Sequence, residues 1–213
     1  MVIGVILAAG SASRMGELKQ VLPDESDVPL VVRAFDVALQ AGCARVVVVT
    51  GASAERVRGA FGDVSARTTE EHEAIVFAHN PEHADGMGGS LVVGVEAARA
   101  MGADAAIVML ADQPLVSPSD LSKLLEGVGN GDVSVAAALY DGVIGVPACF
   151  AASCFDALLD RAKTTPGRGG ARALLRSGAL GQVLEVPMAH AAFDLDTPED
   201  LERYRAHHHT REA

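Results

Sequence analysis

A chain of 213 residues that is 49% hydrophobic can bury one sizeable core but is short for two, so a single α/β domain is the economical reading. Its formal net charge of −11 leaves no basic face to neutralise a phosphate backbone, which excludes nucleic acid as the partner. The same charge repels any small anion at long range, so an anionic ligand would need local cations and a metal ion.

Aromatic residues make up 4% and tryptophan is absent, so the core must come from Val, Ala and Leu, a composition that suits a largely parallel sheet covered by helices. Cys43, Cys149 and Cys154 have neither zinc-finger nor C-x-x-C spacing and read as reduced thiols. No basic leader precedes the apolar start, and no stretch approaches the roughly 20 apolar residues of a membrane span. The expectation is a cytoplasmic protein with no membrane partner.

Val2 to Leu7 is a short β-branched run that gives way at Ala8-Ala9-Gly10 to small residues carrying two cations, Arg14 and Lys19. An apolar run ending this way reads as a buried strand whose carboxyl end opens into a ligand crevice. Small residues let backbone N–H groups approach a phosphate chain, and the cations neutralise it, so the loop reads as a nucleoside triphosphate cradle. It is not a dinucleotide loop, which needs G-x-G-x-x-G, since no second glycine follows Gly10 before Gly16. Nor is it a Walker loop, because the lysine is displaced to Lys19.

Further on, Pro29 to Ala41 has helical spacing between Asp27 and Gly42, Arg45 to Thr50 is a second buried strand, and Ser53 to Phe61 a second helix. Ile75 to Ala78 is a third strand, closed by His79-Asn80-Pro81. Asp85-Gly86-Met87-Gly88-Gly89-Ser90 is a second glycine-rich loop, opening a helix over Leu91 to Arg99 whose amides and dipole can face a ligand. Ser90 suits a ligand contact there and equally suits a helix cap. Ala105 to Leu110 is the fourth strand, and it delivers Asp112 in Ala111-Asp112-Gln113-Pro114 to the strand's carboxyl end, where a hard cation bridging phosphates needs an oxygen ligand.

Pro118 to Val128 is a helix with Ser117 placed to cap it. Val133 to Leu139 is a strand that turns at Tyr140-Asp141-Gly142 into an extended 145–150 segment, and Phe155 to Lys163 is helical. Arg168 and Arg172, in a glycine-rich segment before another helix, suit a phosphate as well as they suit solvent. Val183 to Pro187 is the last strand. Asp194 and Asp196 follow in Phe193-Asp194-Leu195-Asp196, ahead of the helix start Thr197-Pro198-Glu199-Asp200. None of the seven histidines earns a role: Pro81 breaks the helical spacing of His79 and His83, and His207 to His209 lie in a polar tail, 206–213, expected to be disordered.

The stretch Leu7-Ala8-Ala9-Gly10-x-x-x-Arg14-Met15-Gly16-x-x-Lys19-x-x-Leu22-Pro23 resembles the amino-terminal signature of the molybdenum cofactor cytidylyltransferase-like (MobA-like NTP transferase) family. Asp112-Gln113-Pro114 and Asp194-Leu195-Asp196-Thr197-Pro198 resemble its later motifs, so the likeness runs from Val2 to Leu201. Guanylyl members typically carry L-A-G-G at the first motif, and Ala8-Ala9-Gly10 looks like the cytidylyl branch. The resemblance implies one domain over 1–205, a three-layer α/β/α sandwich with a Rossmann-like, mostly parallel mixed sheet.

It also implies nucleotide contacts from Leu7, Ala8, Ala9, Gly10, Arg14, Lys19, Asn80 and Ser90, with Mg²⁺ held by Asp112 and Asp196. Arg14, Lys19 and Asp112 carry the catalytic roles, and Arg168, Arg172 and Asp194 face the acceptor. The implied reaction joins CMP from CTP to the phosphate of a molybdopterin-type cofactor, and a client molybdoenzyme or its chaperone is an implied partner. Alternatives in the same chemistry are a guanylyltransferase for molybdopterin and a cytidylyltransferase for methylerythritol phosphate. A non-catalytic maturation chaperone is the alternative from another class. One departure bears on the acceptor: Val146 stands where the cytidylyl members often have the histidine of G-H-P.

Overall fold

The computed structural model describes residues 1–10, 17–62, 68–131, 133–164 and 170–209. Among the described residues seven strands form one sheet: β1 (Val2–Ala8), β2 (Arg45–Thr50), β3 (Ile75–His79), β4 (Ala105–Leu110), β5 (Val135–Tyr140), β6 (Val143–Ala151) and β7 (Val183–Pro187), in the order β3-β2-β1-β4-β6-β5-β7. All pairings are parallel except those of β6, which runs antiparallel to both β4 and β5. The reversal follows from Asp141-Gly142, whose φ angles of 52° and 70° make a tight two-residue hairpin turn between Tyr140 and Val143. The sheet is therefore mixed, as expected.

Eight helices flank it among the described residues: α1 (Leu30–Gln40), α2 (Ala54–Gly59), α3 (Thr69–Ala74), α4 (Met87–Ala100), α5 (Pro118–Gly129), α6 (Phe155–Thr164), α7 (Ala171–Arg176) and α8 (Pro198–His209). Successive strand residues point to opposite faces. Ile6, Val46, Val48 and Ile107 meet Phe35 of α1 and Leu121 and Leu124 of α5 on one side. Val5, Val47, Val49 and Val108 meet Leu91 and Val95 of α4, Leu158 of α6 and Leu174 of α7 on the other. Helix, sheet and helix thus form three layers with a core on each face of the sheet, and a smaller cluster of Leu22, Leu30, Leu195 and Tyr204 lies beside them. No helix among the described residues is long and apolar enough to cross a membrane. All three cysteines are free and buried, and burial pushes their thiols up to about 12, 12 and 11 for Cys43, Cys149 and Cys154, which leaves them unreactive.

Three local expectations are corrected. Asp27 does not start α1: it takes a φ of 60° in a tight loop where the Asp24 carboxylate accepts N–H bonds from Ser26 (2.8 Å) and Val28 (2.9 Å), and the helix begins after Pro29 without a side-chain cap. The glycine loop before Leu91 is shorter than expected. Gly86, with φ 115°, is the breaking residue, and Gly88, Gly89 and Ser90 already lie in the first turn of α4. Ser90 is therefore not a cap. Helix α3, absent from the sequence reading, is closed by a capping box in which Thr68 Oγ1 accepts from the Glu71 N–H and the Glu71 carboxylate accepts from the Thr68 N–H.

Candidate active site

The carboxyl ends of β1 and β4 border a cavity of about 620 Å³, a size suited to a nucleotide. Leu7, Ala9 and Gly10 come to it from β1 and the start of its loop, Leu110, Ala111 and Asp112 from β4, and Lys19 with Gln20 from a 3-10 turn at Lys19–Val21. Gly86, Met87 and Ser90 bring the amino-terminal end of α4, where backbone N–H groups lack helical partners and the dipole favours an anion. Asp196 closes the ring from the far end of the chain.

Close packing sets how near α4 stands. A Cβ on Gly94, one turn beyond Ser90, would lie 2.3 Å from Val5 Cγ1, so the missing side chain lets α4 rest directly on β1. Gly51, at the end of β2, does the same beneath the cavity, where a Cβ would lie 2.6 Å from the Ala9 carbonyl oxygen and 2.8 Å from the His83 side chain.

The chemistry concentrates at Lys19. Its ammonium lies 2.9 Å from Asp112 Oδ2 and 2.5 Å from Asp196 Oδ1, so two carboxylates from distant segments converge on one point. Burial opposes the charged ammonium, but Asp112 and Asp196 outweigh it and hold the Lys19 pKa above the ordinary lysine value. Asp194 stands close by with part of its surface open to solvent, and desolvation of its carboxyl, then the negative charges of Asp112 and Asp196, push its pKa up to about 6. Two carboxylates thus share the Lys19 ammonium, with Asp194 near enough to feel the charge of all three. Among the described residues no three His, Cys, Asp or Glu side chains are grouped to hold a metal by themselves, but the oxygens of Asp112 and Asp196, converging on a point held by a positive group, are the donor type a hard divalent cation takes alongside other oxygen ligands. The segment bearing Asp194 and Asp196 is tied to β4 directly, because the Leu195 N–H donates to the Asp112 carbonyl at 2.9 Å. The Asp200 carboxylate fixes its far side by accepting from the Thr197 hydroxyl (2.8 Å) and the backbone N–H groups of Thr197 and Asp196.

Of the residues singled out from sequence, Leu7, Ala9, Gly10, Lys19, Ser90, Asp112 and Asp196 meet at this cavity. Ala8 faces the opposite core, as strand alternation requires. Asn80 stands behind Ser90 and not on the cavity: it is buried, its Nδ2 donates to Ser90 Oγ at 3.0 Å, and so it orients that hydroxyl. Arg172 lies off the cavity, its guanidinium 5.6 Å from the centre of the Tyr140 ring. Arg14 and Arg168 lie outside the described residues.

Sequence reasoning missed Gln20, His83 and Gln113. Gln20 is buried and its Nε2 donates to the Gly10 carbonyl at 3.3 Å, holding the start of the loop beside Lys19. His83 lines the cavity wall with Nδ1 3.2 Å from the Asn80 carbonyl oxygen. Gln113 was visible as the middle of the Asp-Gln-Pro motif, but its side-chain partners were not.

The chain matches the MobA-like NTP transferase domain over residues 4–183. It is 32% identical to the purine catabolism protein PucB of Bacillus subtilis (strain 168), covering 95% of each chain. It is also 32% identical to the nicotine blue oxidoreductase of Paenarthrobacter nicotinovorans, again over 95% of each. It is 27% identical to the molybdenum cofactor cytidylyltransferase of Escherichia coli (strain K12), over 94% of this chain and 95% of that one. Among solved structures, a nucleotidyl transferase from Methanothermobacter thermautotroptrophicus superposes with a TM-score of 0.75 at 25% identity, covering 97% of each chain. With the domain matched across most of its length, and Gly10, Lys19, Asp112 and Asp196 of the motifs that suggested it gathered at one cavity, this chain belongs to the MobA-like NTP transferase family.

Proposed function

We propose that this protein is a Mg²⁺-dependent cytidylyltransferase that joins CMP from CTP to the phosphate of a molybdopterin-type acceptor and releases pyrophosphate. The observation that carries the reading is the convergence of Asp112 and Asp196 on the Lys19 ammonium at a nucleotide-sized cavity. The choice of CTP rests on Ala8-Ala9-Gly10 and on the likeness to a cytidylyltransferase.

In this reaction an acceptor phosphate oxygen bonds to the α-phosphorus as the bond from that phosphorus to the pyrophosphate oxygen breaks. A phosphomonoester is largely dianionic at neutral pH, with a second pKa of about 6, so no general base is needed. The protein's work is positioning and charge stabilisation. Asp112 and Asp196 would hold Mg²⁺, which when bound neutralises charge on the phosphates. Lys19, together with Arg14 and the loop amides, serves the phosphates that gain charge. Ser90, oriented by Asn80, would face the nucleoside, and Asp194 the acceptor, while the acceptor role of Arg168 and Arg172 rests on the resemblance of their segment alone. The oxidoreductase name of one relative favours no second reading, because the Gly10 to Gly16 spacing is wrong for a dinucleotide loop.

Asp112→Asn separates an enzyme from a nucleotide or pterin carrier. The expected result is a variant whose melting temperature stays within a few degrees of wild type while pyrophosphate release falls at least about 100-fold. A variant that folds and keeps wild-type turnover refutes the reading.

A further inference from the structure

Gln113 is buried, with 6% of its surface exposed, and its one amide nitrogen joins two segments that local sequence does not relate. Nε2 donates to the Ala191 carbonyl at 2.8 Å and to the Val146 carbonyl at 3.3 Å. Ala191 precedes the Phe193-Asp194-Leu195-Asp196 run, and Val146 lies on β6, where its carbonyl also accepts from the Tyr140 hydroxyl at 3.2 Å. Within Asp112-Gln113-Pro114 each residue is tied to a different element. The Asp112 carbonyl accepts from Leu195 and the Pro114 carbonyl from Arg33 Nε on α1 at 2.8 Å, while the Gln113 side chain holds the other two segments.

An amide of this length suits the position. Its NH₂ group can donate to both carbonyls and the side chain also bonds Asp194 and Tyr140, whereas a carboxylate has no hydrogen to give and a side chain one methylene shorter reaches less far. Gln113 therefore does more than close a turn. Its backbone carries Asp112, and its side chain fixes the stretch that leads to Asp196.

We infer that Gln113 is a positioning residue that sets the separation of Asp112 and Asp196, and through it the affinity of the site for a divalent cation. The inference rests on the reading of Asp112 and Asp196 as metal ligands. Groups that orient ligands from behind typically change metal affinity about 10–100-fold when lost.

The test is Mn²⁺ binding to the full chain without nucleotide, followed by electron paramagnetic resonance of free Mn²⁺. It compares wild type with Gln113→Met, Gln113→Asn and Asp112→Asn, with folding checked by circular dichroism. Methionine fills similar space but donates nothing. The expected result is binding weakened about 10–100-fold in Gln113→Met, less in Gln113→Asn, and most in Asp112→Asn. Wild-type affinity in a folded Gln113→Met variant, with Asp112→Asn weakened, overturns the role of Gln113 alone. Wild-type affinity in Asp112→Asn overturns the metal reading beneath it. If Gln113→Met does not fold, Gln113→Asn decides, and wild-type affinity there overturns the inference.

Discussion

Lys19 is placed where a single positive charge serves two carboxylates, both of them partly shielded from water. Removing it leaves Asp112 and Asp196 converging without the ammonium that joins them. Lys19→Met is therefore expected to lower kcat/KM by about 100–1,000-fold, the range seen when one preorganised charge-stabilising group is lost. Steady-state pyrophosphate release measures it. At this scale the sequence was readable where a residue's chemistry alone marks it, as with Lys19, Asp112 and Asp196. It was unreadable where the role depends on a neighbour in space. Nothing local reveals that Gln20 reaches the Gly10 carbonyl, or that a Cβ on Gly51 would strike the Ala9 carbonyl oxygen.

Helix α5 shows how an element is held in place beside the site. The Asp120 side chain is 6% exposed and accepts from Ser117 Oγ at 2.6 Å, from the Ser117 N–H at 3.0 Å and from His190 Nε2 at 2.7 Å. Burial alone would raise its pKa, but the hydrogen bonds from Ser117 and His190 outweigh burial and hold it below the usual carboxylate value. A lowered folded pKa means the contribution is complete above the unfolded value of about 4 and disappears as pH falls through the folded value. Asp120→Asn should cost about 1–2 kcal/mol near pH 7, and the gap from wild type should close below pH of about 4. Chemical denaturation across pH measures both.

Helix α4 gives a packing prediction. Gly94→Ala would gain intrinsic helix propensity, yet its Cβ meets β-branched Val5 at 2.3 Å and Val49 at 3.0 Å, neither of which can swing clear. Overpacking should win, lowering stability by about 1–3 kcal/mol and the melting temperature by several degrees, as calorimetry would show. Legibility at this scale followed the strength of the local signal. Ser117 to Asp120 announced α5, while the start of α4 was misplaced because glycines that usually mark a loop lie inside its first turn against Asn80.

For the whole molecule, alternating strands and helices revealed the layers, and Asp141-Gly142 revealed the reversal into β6. The strand order did not follow, because pairing β4 with β6 and not with β5 is decided by long-range contact. That order matters to function. It sets the hairpin of β5 and β6 beside β4, where the Val146 carbonyl reaches Gln113 and the run bearing Asp194 and Asp196 crosses the end of β4. On the proposed reading, an acidic molecule with a net charge of −11 would hold a polyanion at one place, where Lys19 and a bound cation would concentrate positive charge against the open end of α4.

The most direct measurement is pyrophosphate release by purified protein with Mg²⁺ and each of CTP, GTP, ATP and UTP in turn, with and without molybdopterin. Cytidylyl transfer predicts release that requires both CTP and molybdopterin and disappears when the metal is chelated. Release that requires GTP in place of CTP would contradict the nucleotide assignment, and the absence of release with every triphosphate in the presence of molybdopterin would contradict the proposed reaction.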